Sequence, residues 1–277
     1  MERASSAALP LRWLFNRAVL ALLVLFLLAP LIAVVYVSFS PVGFFQFPPH
    51  GFSVRWFVHL WSTPELLDAL GRSVWIAVVV AAVTGVLATP AAIAMQSRFR
   101  GKGALDALFL SPLVLPELVF ALALLEAYSL TGLNDTYVGL ILGHLVIAFP
   151  YFVRSVYVAL AGRDPALEEA AETLGASPLR VFSTITLPSI RSGLASGTIF
   201  AFIVSFDQFT VSLFVTGVHT ETLPVAIYNY MFQNADPTVA AVSTVVIAIG
   251  LGAATLANRI AGLDRLLIGD RPSRVAA

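Results

Sequence analysis

Apolar residues fall in long unbroken stretches along this chain, without the polar–apolar alternation of a half-buried strand. A helix that crosses a bilayer needs about 20 mostly apolar residues. Six stretches reach that length: about Ala18–Val37, Val74–Met95, Leu105–Leu130, Tyr137–Leu160, Gly193–Val215 and Val239–Ala261. The other spanning structure, a closed barrel, is built from strands that alternate lipid-facing and lumen-facing residues. Runs such as Val19 to Leu28 and Ile76 to Val83 do not alternate. The pattern therefore predicts an all-α membrane protein with six transmembrane helices. The first stretch is longer than the roughly 7–15 apolar residues of a signal-peptide core. It reads as a retained span, although Ser38-Phe39-Ser40 behind it has the small-x-small form of a cleavage site.

Composition agrees with that reading. The 277 residues are 58% apolar and 12% charged, whereas a soluble domain carries about 25% charged residues. Mean hydropathy is +0.89. The formal net charge of +0 hides an asymmetry. With six spans, the N-terminus, the second and fourth loops and the C-terminus share one side. That side holds 13 of the 16 Lys and Arg residues (Arg3, Arg12, Arg17, Arg98, Arg100, Lys102, Arg163, Arg180, Arg191, Arg259, Arg265, Arg271, Arg274). Arg55 and Arg72 fall on the other side, and Arg154 lies within the fourth span near its inner end. Basic residues concentrate on the cytoplasmic side of membrane proteins, so both termini are expected there. The resulting division is a cytoplasmic N-terminus 1–17, a transmembrane domain 18–261 and a cytoplasmic tail 262–277. Outside, the loop from Ser40 to Gly71 carries Phe44, Phe45, Phe47, Trp56, Phe57 and Trp61 and reads as an interfacial segment. The absence of cysteine excludes disulfides, Cys-ligated zinc and thiol catalysis.

The inner loop between the fourth and fifth spans has explicit local grammar. Asp164-Pro165 is a helix N-cap followed by proline at the first helical position. Gly175 can end that helix in a left-handed conformation. Ser177-Pro178 repeats the start signal and Pro188 closes the second piece. Two short helices are expected, about Pro165–Leu174 and Pro178–Leu187. In the first, Leu167, Ala170, Ala171 and Leu174 share one face, while Glu168, Glu169 and Glu172 crowd the other. Such a helix is either a docking element or a solvated connector.

Glu169-Ala170-Ala171, three residues, Gly175, nine residues, then Ile185-Thr186-Leu187-Pro188 resembles the EAA loop, here 162–190, of binding-protein-dependent ABC importer permeases. The resemblance implies the type I ABC importer permease fold and a bacterial inner-membrane location. It also implies that Glu169, Ala170, Ala171, Gly175, Ile185, Leu187 and Pro188 contact an ATPase subunit. Phe52-Ser53-Val54-Arg55-Trp56-Phe57, Leu115-Pro116-Glu117-Leu118-Val119 and Ser205-Phe206-Asp207-Gln208-Phe209 look like the polyamine (spermidine/putrescine) branch. So do Phe214-Val215-Thr216-Gly217 and Leu223-Pro224-Val225-Ala226-Ile227-Tyr228. Gln208 is a departure, standing where that branch often has a second acidic residue. The partners implied are ATP-binding-cassette ATPase subunits, a second permease in a heterodimer, an extracytoplasmic solute-binding protein and membrane lipid, with no nucleic acid.

An ATP-binding loop would need G-x-x-x-x-G-K-[ST]. Lys102 is the sole lysine; Gly103 follows it and Gln96 occupies the first glycine position. The chain therefore needs no cofactor of its own, and ATP belongs to the separate subunit. Charged residues inside spans are functional candidates by default. Glu117 lies about 12 residues, or roughly 18 Å, into the third span and Asp207 about 14 residues, or roughly 21 Å, into the fifth. No Lys or Arg shares that depth. Pro112 and Pro116 each remove a backbone hydrogen bond next to Glu117, and unsatisfied backbone in a bilayer is tolerated only beside protein or a wet cavity. Asp207, Glu117 and Pro116 are thus expected along a path for an organic cation, against the alternative of hydrogen-bonded packing between helices.

Other classes remain open at this point. A secondary transporter would place ion-coupling residues in broken helices and need no ATPase; an ABC permease for a solute other than a polyamine would keep the loop. An intramembrane enzyme lacks its signatures. His50, His59, His144 and His219 form no H-E-x-x-H, and G-x-S-x-G does not occur. No catalytic or metal-ligating residue is assigned, and lone His144 reads as a packed or pore-side residue.

Overall fold

The computed structural model describes residues 8–48, 51–97, 99–234 and 236–261. Arg3, Arg98, Arg265, Arg271 and Arg274, and the expected tail 262–277, lie outside the described residues. In chain order the helices are α1 (Ala8–Ser38), α2 (Arg55–Trp61), α3 (Pro64–Ala94), α4 (Lys102–Val114), α5 (Glu117–Thr131) and α6 (Tyr137–Ala161). They continue with α7 (Ala166–Thr173), α8 (Pro178–Val181), a π-helical turn at Phe182–Thr186 and α9 (Leu187–Ser189). The last four are α10 (Arg191–Phe206), α11 (Thr210–Val215), α12 (Leu223–Gln233) and α13 (Thr238–Ala261). Among the described residues there is no strand.

Three helices are long and apolar enough to cross a bilayer unbroken: Phe15–Ser38 within α1, Pro64–Ala94 and Tyr137–Ala161. They correspond to the first, second and fourth expected spans, the second ending one residue short of Met95. The third and fifth are not single helices. The chain turns through 101° between α4 and α5, and through 69° between Pro178–Ser189 and α10. The expected helix Leu105–Leu130 is broken because Pro116 cannot donate to the turn before it and forces Leu115 into an extended conformation, φ −72° and ψ 139°. The expected helix Gly193–Val215 stops at Asp207 and resumes at Thr210.

The chain divides into two compact units. One comprises Met1–Pro64 and Asn229–Gly250. In it the aromatic loop folds back on the end of α1. Trp56 is buried and its indole N–H donates to the Ser40 carbonyl at 2.9 Å. Phe39 stacks on Phe52 at 4.7 Å and tilts against Phe57 at 5.0 Å. Phe44, Phe45, Phe47 and Trp61 stay exposed. Asp236 caps the start of α13, accepting from the Thr238 N–H at 2.9 Å and the Tyr230 hydroxyl at 3.1 Å.

The second unit comprises Glu65–Tyr228 and Leu251–Ala277. Its core joins α3, α6 and α10 through Ile76, Val80, Ala88, Phe152, Val156 and Ala201. Glycine sets the spacing of α6 and α10. A Cβ at Gly193 would stand 2.5 Å from the Ala159 Cβ and 2.8 Å from the Ser155 carbonyl oxygen, and one at Gly197 would meet the Phe152 ring at 3.0 Å. Small residues allow this approach where close packing holds membrane helices together. A separate cluster unites the second halves of both broken segments, with Ala121 and Tyr128 of α5 against Val211 and Val215 of α11.

Candidate functional site

Two interrupted helices bring their breaks together. Glu117 is the first residue of α5, where unpaired backbone N–H groups and the helix dipole favour a carboxylate. Gln208 lies between α10 and α11, and its side-chain amide donates to Glu117 Oε1 at 2.8 Å. Asp207 ends α10 one residue earlier. Glu117, Asp207 and Gln208 share the lining of a cavity of about 330 Å³, with Pro112, Ile147 and Tyr151 among the other walls. Small-molecule pockets start near about 300 Å³. Among the described residues neither Lys nor Arg lines it. Pro116 stands in the break itself.

Two basic side chains near the helices have partners of their own. Arg154 pairs with Asp106 at 3.4 Å, and the Arg72 guanidinium donates to the Glu221 carbonyl at 2.8 Å. Glu126 is exposed on α5. Among the described residues no group of His, Asp or Glu could hold a metal ion. His144 is packed, buried between Ser205 and Ser212 at 3.0 Å from each.

The loop expected to carry the second functional surface begins as its grammar implies. The Asp164 carboxylate accepts from the Ala166 N–H at 3.0 Å. The end of α7 is a Schellman closure, with Gly175 at φ +87°, Ala176 N–H donating to the Ala171 carbonyl at 3.0 Å and Gly175 N–H to that of Glu172 at 2.9 Å. Leu167 and Leu174 are 59% and 88% exposed, so the chain does not cover the apolar face of its own helix. Glu169 and Ala170 are also exposed, and Ala171 is half-buried.

Two expectations for this loop are corrected. Glu168 does not join Glu169 and Glu172 on an outward acidic face. Its carboxylate turns inward, pairs with the Arg163 guanidinium and accepts the Thr186 hydroxyl. A half-buried carboxylate is stabilised by such partners, and those on the π turn and the preceding loop draw it in. Nor does Pro188 close the second piece at Leu187. The helix runs on to Ser189, the π turn having shifted the hydrogen-bond pattern ahead of the proline. Ile185 is half-buried in that π turn, while Leu187 and Pro188 are exposed in α9.

Two helices thus break at acidic residues that share one cavity, and a short uncovered helix stands between two longer ones. Residues 81–262 match the family of binding-protein-dependent transport system inner membrane components. The chain belongs to that family, the inner-membrane permease subunits of ABC importers. It is 30% identical over 250 residues to the spermidine/putrescine transport system permease protein PotC of Haemophilus influenzae, covering 90% of this chain and 97% of that one. It is 32% identical over 235 residues to the putrescine transport system permease protein PotI of Escherichia coli, covering 82% and 83%. Its fold is similar to a chain in the crystal structure of a bacterial alginate ABC transporter in complex with alginate pentasaccharide-bound periplasmic protein. The TM-score is 0.70 at 16% identity, over 93% of this chain and 97% of that one.

Proposed function

We propose that this permease carries a polyamine or a related small organic cation, and that Glu117 and Asp207 line its path. The observation that carries the reading is the cavity at the facing breaks, lined by two carboxylates and a carboxamide without a cation to neutralise them. A desolvated ammonium group is stabilised by a carboxylate far more in such a setting than in water. The relatives named for spermidine and putrescine transport point to the same solute class.

The rest of the assembly follows in the same reading. The chain crosses the membrane six times, by α1, α3, α4 with α5, α6, α10 with α11, and α13. Both termini are cytoplasmic, and 18–261 is the transmembrane domain between 1–17 and 262–277. A second, homologous permease completes the pathway, and an extracytoplasmic solute-binding protein delivers the cation. The exposed face of α7, with Glu169, Ala170, Ala171 and Gly175, docks on an ATPase subunit, with Ile185, Leu187 and Pro188 beside it. A carrier driven by an ion gradient would have no use for that uncovered face.

The test is uptake by the assembled complex in proteoliposomes. ATP-dependent accumulation of labelled putrescine or spermidine is expected, with none of a neutral sugar or an anion. Accumulation of sugar or anion but of neither polyamine would overturn the assignment.

A further inference from the structure

The break at residues 207–209 contains no proline or glycine, so something other than backbone chemistry holds it. The groups facing it from α6 supply the answer. His144 Nδ1 lies 3.0 Å from the hydroxyl of Ser205, two residues before the break, and Nε2 lies 3.0 Å from that of Ser212, three residues after it. Ser212 has a single hydroxyl hydrogen, and it goes to the Gln208 carbonyl at 2.6 Å. Its oxygen must then accept from His144 Nε2–H. In the uncharged ring Nδ1 is then an acceptor, and the Ser205 hydroxyl is its donor.

We propose that His144 is a positioning residue, an uncharged Nε2–H imidazole that clamps the two halves of the broken helix and so aims Gln208 at Glu117. The chain of hydrogen bonds is continuous: Ser205 hydroxyl to His144, His144 to Ser212, Ser212 to the Gln208 carbonyl. The Gln208 side chain then reaches Glu117 at 2.8 Å. The imidazole is 1% exposed and does not line the cavity, so it acts through these neighbours. Its effect on transport rests on the pathway role proposed for Glu117 and Asp207; the clamp itself does not.

Nitrogen-15 spectroscopy of histidine-labelled assembled complex tests the clamp, with the His144 signal assigned by its loss in His144→Gln. An Nε2–H tautomer at neutral pH is expected; an Nδ1–H tautomer or an imidazolium would overturn the proposal. Uptake at limiting putrescine tests the consequence. His144→Leu is expected to lower it roughly tenfold, the scale of an unmade buried hydrogen bond, with basal ATP hydrolysis unchanged. The same substitution in a Gln208→Ala background is expected to cost little more. Wild-type uptake in His144→Leu, or full additivity with Gln208→Ala, would overturn the positioning role. Should His144→Leu fail to assemble, Ser205→Ala and Ser212→Ala carry the same expectation. If Asp207→Asn and Glu117→Gln left uptake intact while the tautomer and the His144 effect appeared as expected, the pathway reading would fall and the clamp would stand.

Discussion

Gln208 donates its side-chain amide to Glu117 at 2.8 Å, across the breaks of two helices whose second halves pack on each other. The contact ties the one carboxamide lining the cavity to an acid at a helix N-terminus. It fixes that acid in place without neutralising it.

Removing the donor should therefore weaken transport through geometry, with charge unchanged. Gln208→Ala is expected to lower putrescine uptake at limiting solute roughly tenfold, since hydrogen bonds to charged groups contribute about 1.5–3 kcal/mol. Saturating solute should restore much of the rate. Initial-rate uptake across a range of solute concentrations checks it, and an unchanged half-saturation concentration would count against the contact.

The exposed leucines of α7 give a surface prediction. Leu174→Glu is expected to abolish co-purification of the ATPase subunit. It should leave the melting temperature of the isolated permease nearly unchanged, because exposed substitutions usually shift stability by no more than about 0.5 kcal/mol. Pull-down and thermal unfolding in detergent measure the two separately.

Glu168 should behave oppositely to its neighbours on the same helix. Glu168→Ala leaves Arg163 and the Thr186 hydroxyl without their shared carboxylate. It is expected to destabilise the loop by about 1–3 kcal/mol, whereas Glu172→Ala should have little effect. Hydrogen exchange over 163–190 would show the contrast.

Two glycines separate packing from conformational freedom. Gly193→Val drives its Cβ into Ala159 and the Ser155 carbonyl and should cost at least about 1–3 kcal/mol, seen as a loss of folded protein in detergent. Gly103→Ala meets nothing within 4 Å and should be neutral or slightly stabilising.

Much of this was legible where local chemistry decides the outcome. The start of α7 at Asp164-Pro165 and its end at Gly175 need only their own backbone groups, and both form as the residue pattern implies. The long apolar runs became helices for the same reason. Asp236-Pro237 carries the same start signal ahead of α13 and could have been read in the same way. What stayed hidden depends on partners distant in sequence. The helical pattern continues through Asp207 without a breaker, and the interruption is held by His144, 61 and 68 residues from its two serine partners. Glu168 looks solvated on a helical wheel because the wheel omits Arg163 and Thr186. Pro112 and Pro116 announced trouble in the third span, but a kink and a turn of 101° look alike until the chain is folded.

The central claim is that Glu117 and Asp207 attract and pass a cation, and it is tested most directly by neutralising both. In proteoliposomes carrying the assembled complex, Asp207→Asn combined with Glu117→Gln should reduce ATP-driven putrescine uptake at least about a hundredfold, the scale of two lost charge interactions near 1.4 kcal/mol each, while basal ATP hydrolysis persists. Uptake at the wild-type rate in that double variant would contradict the account.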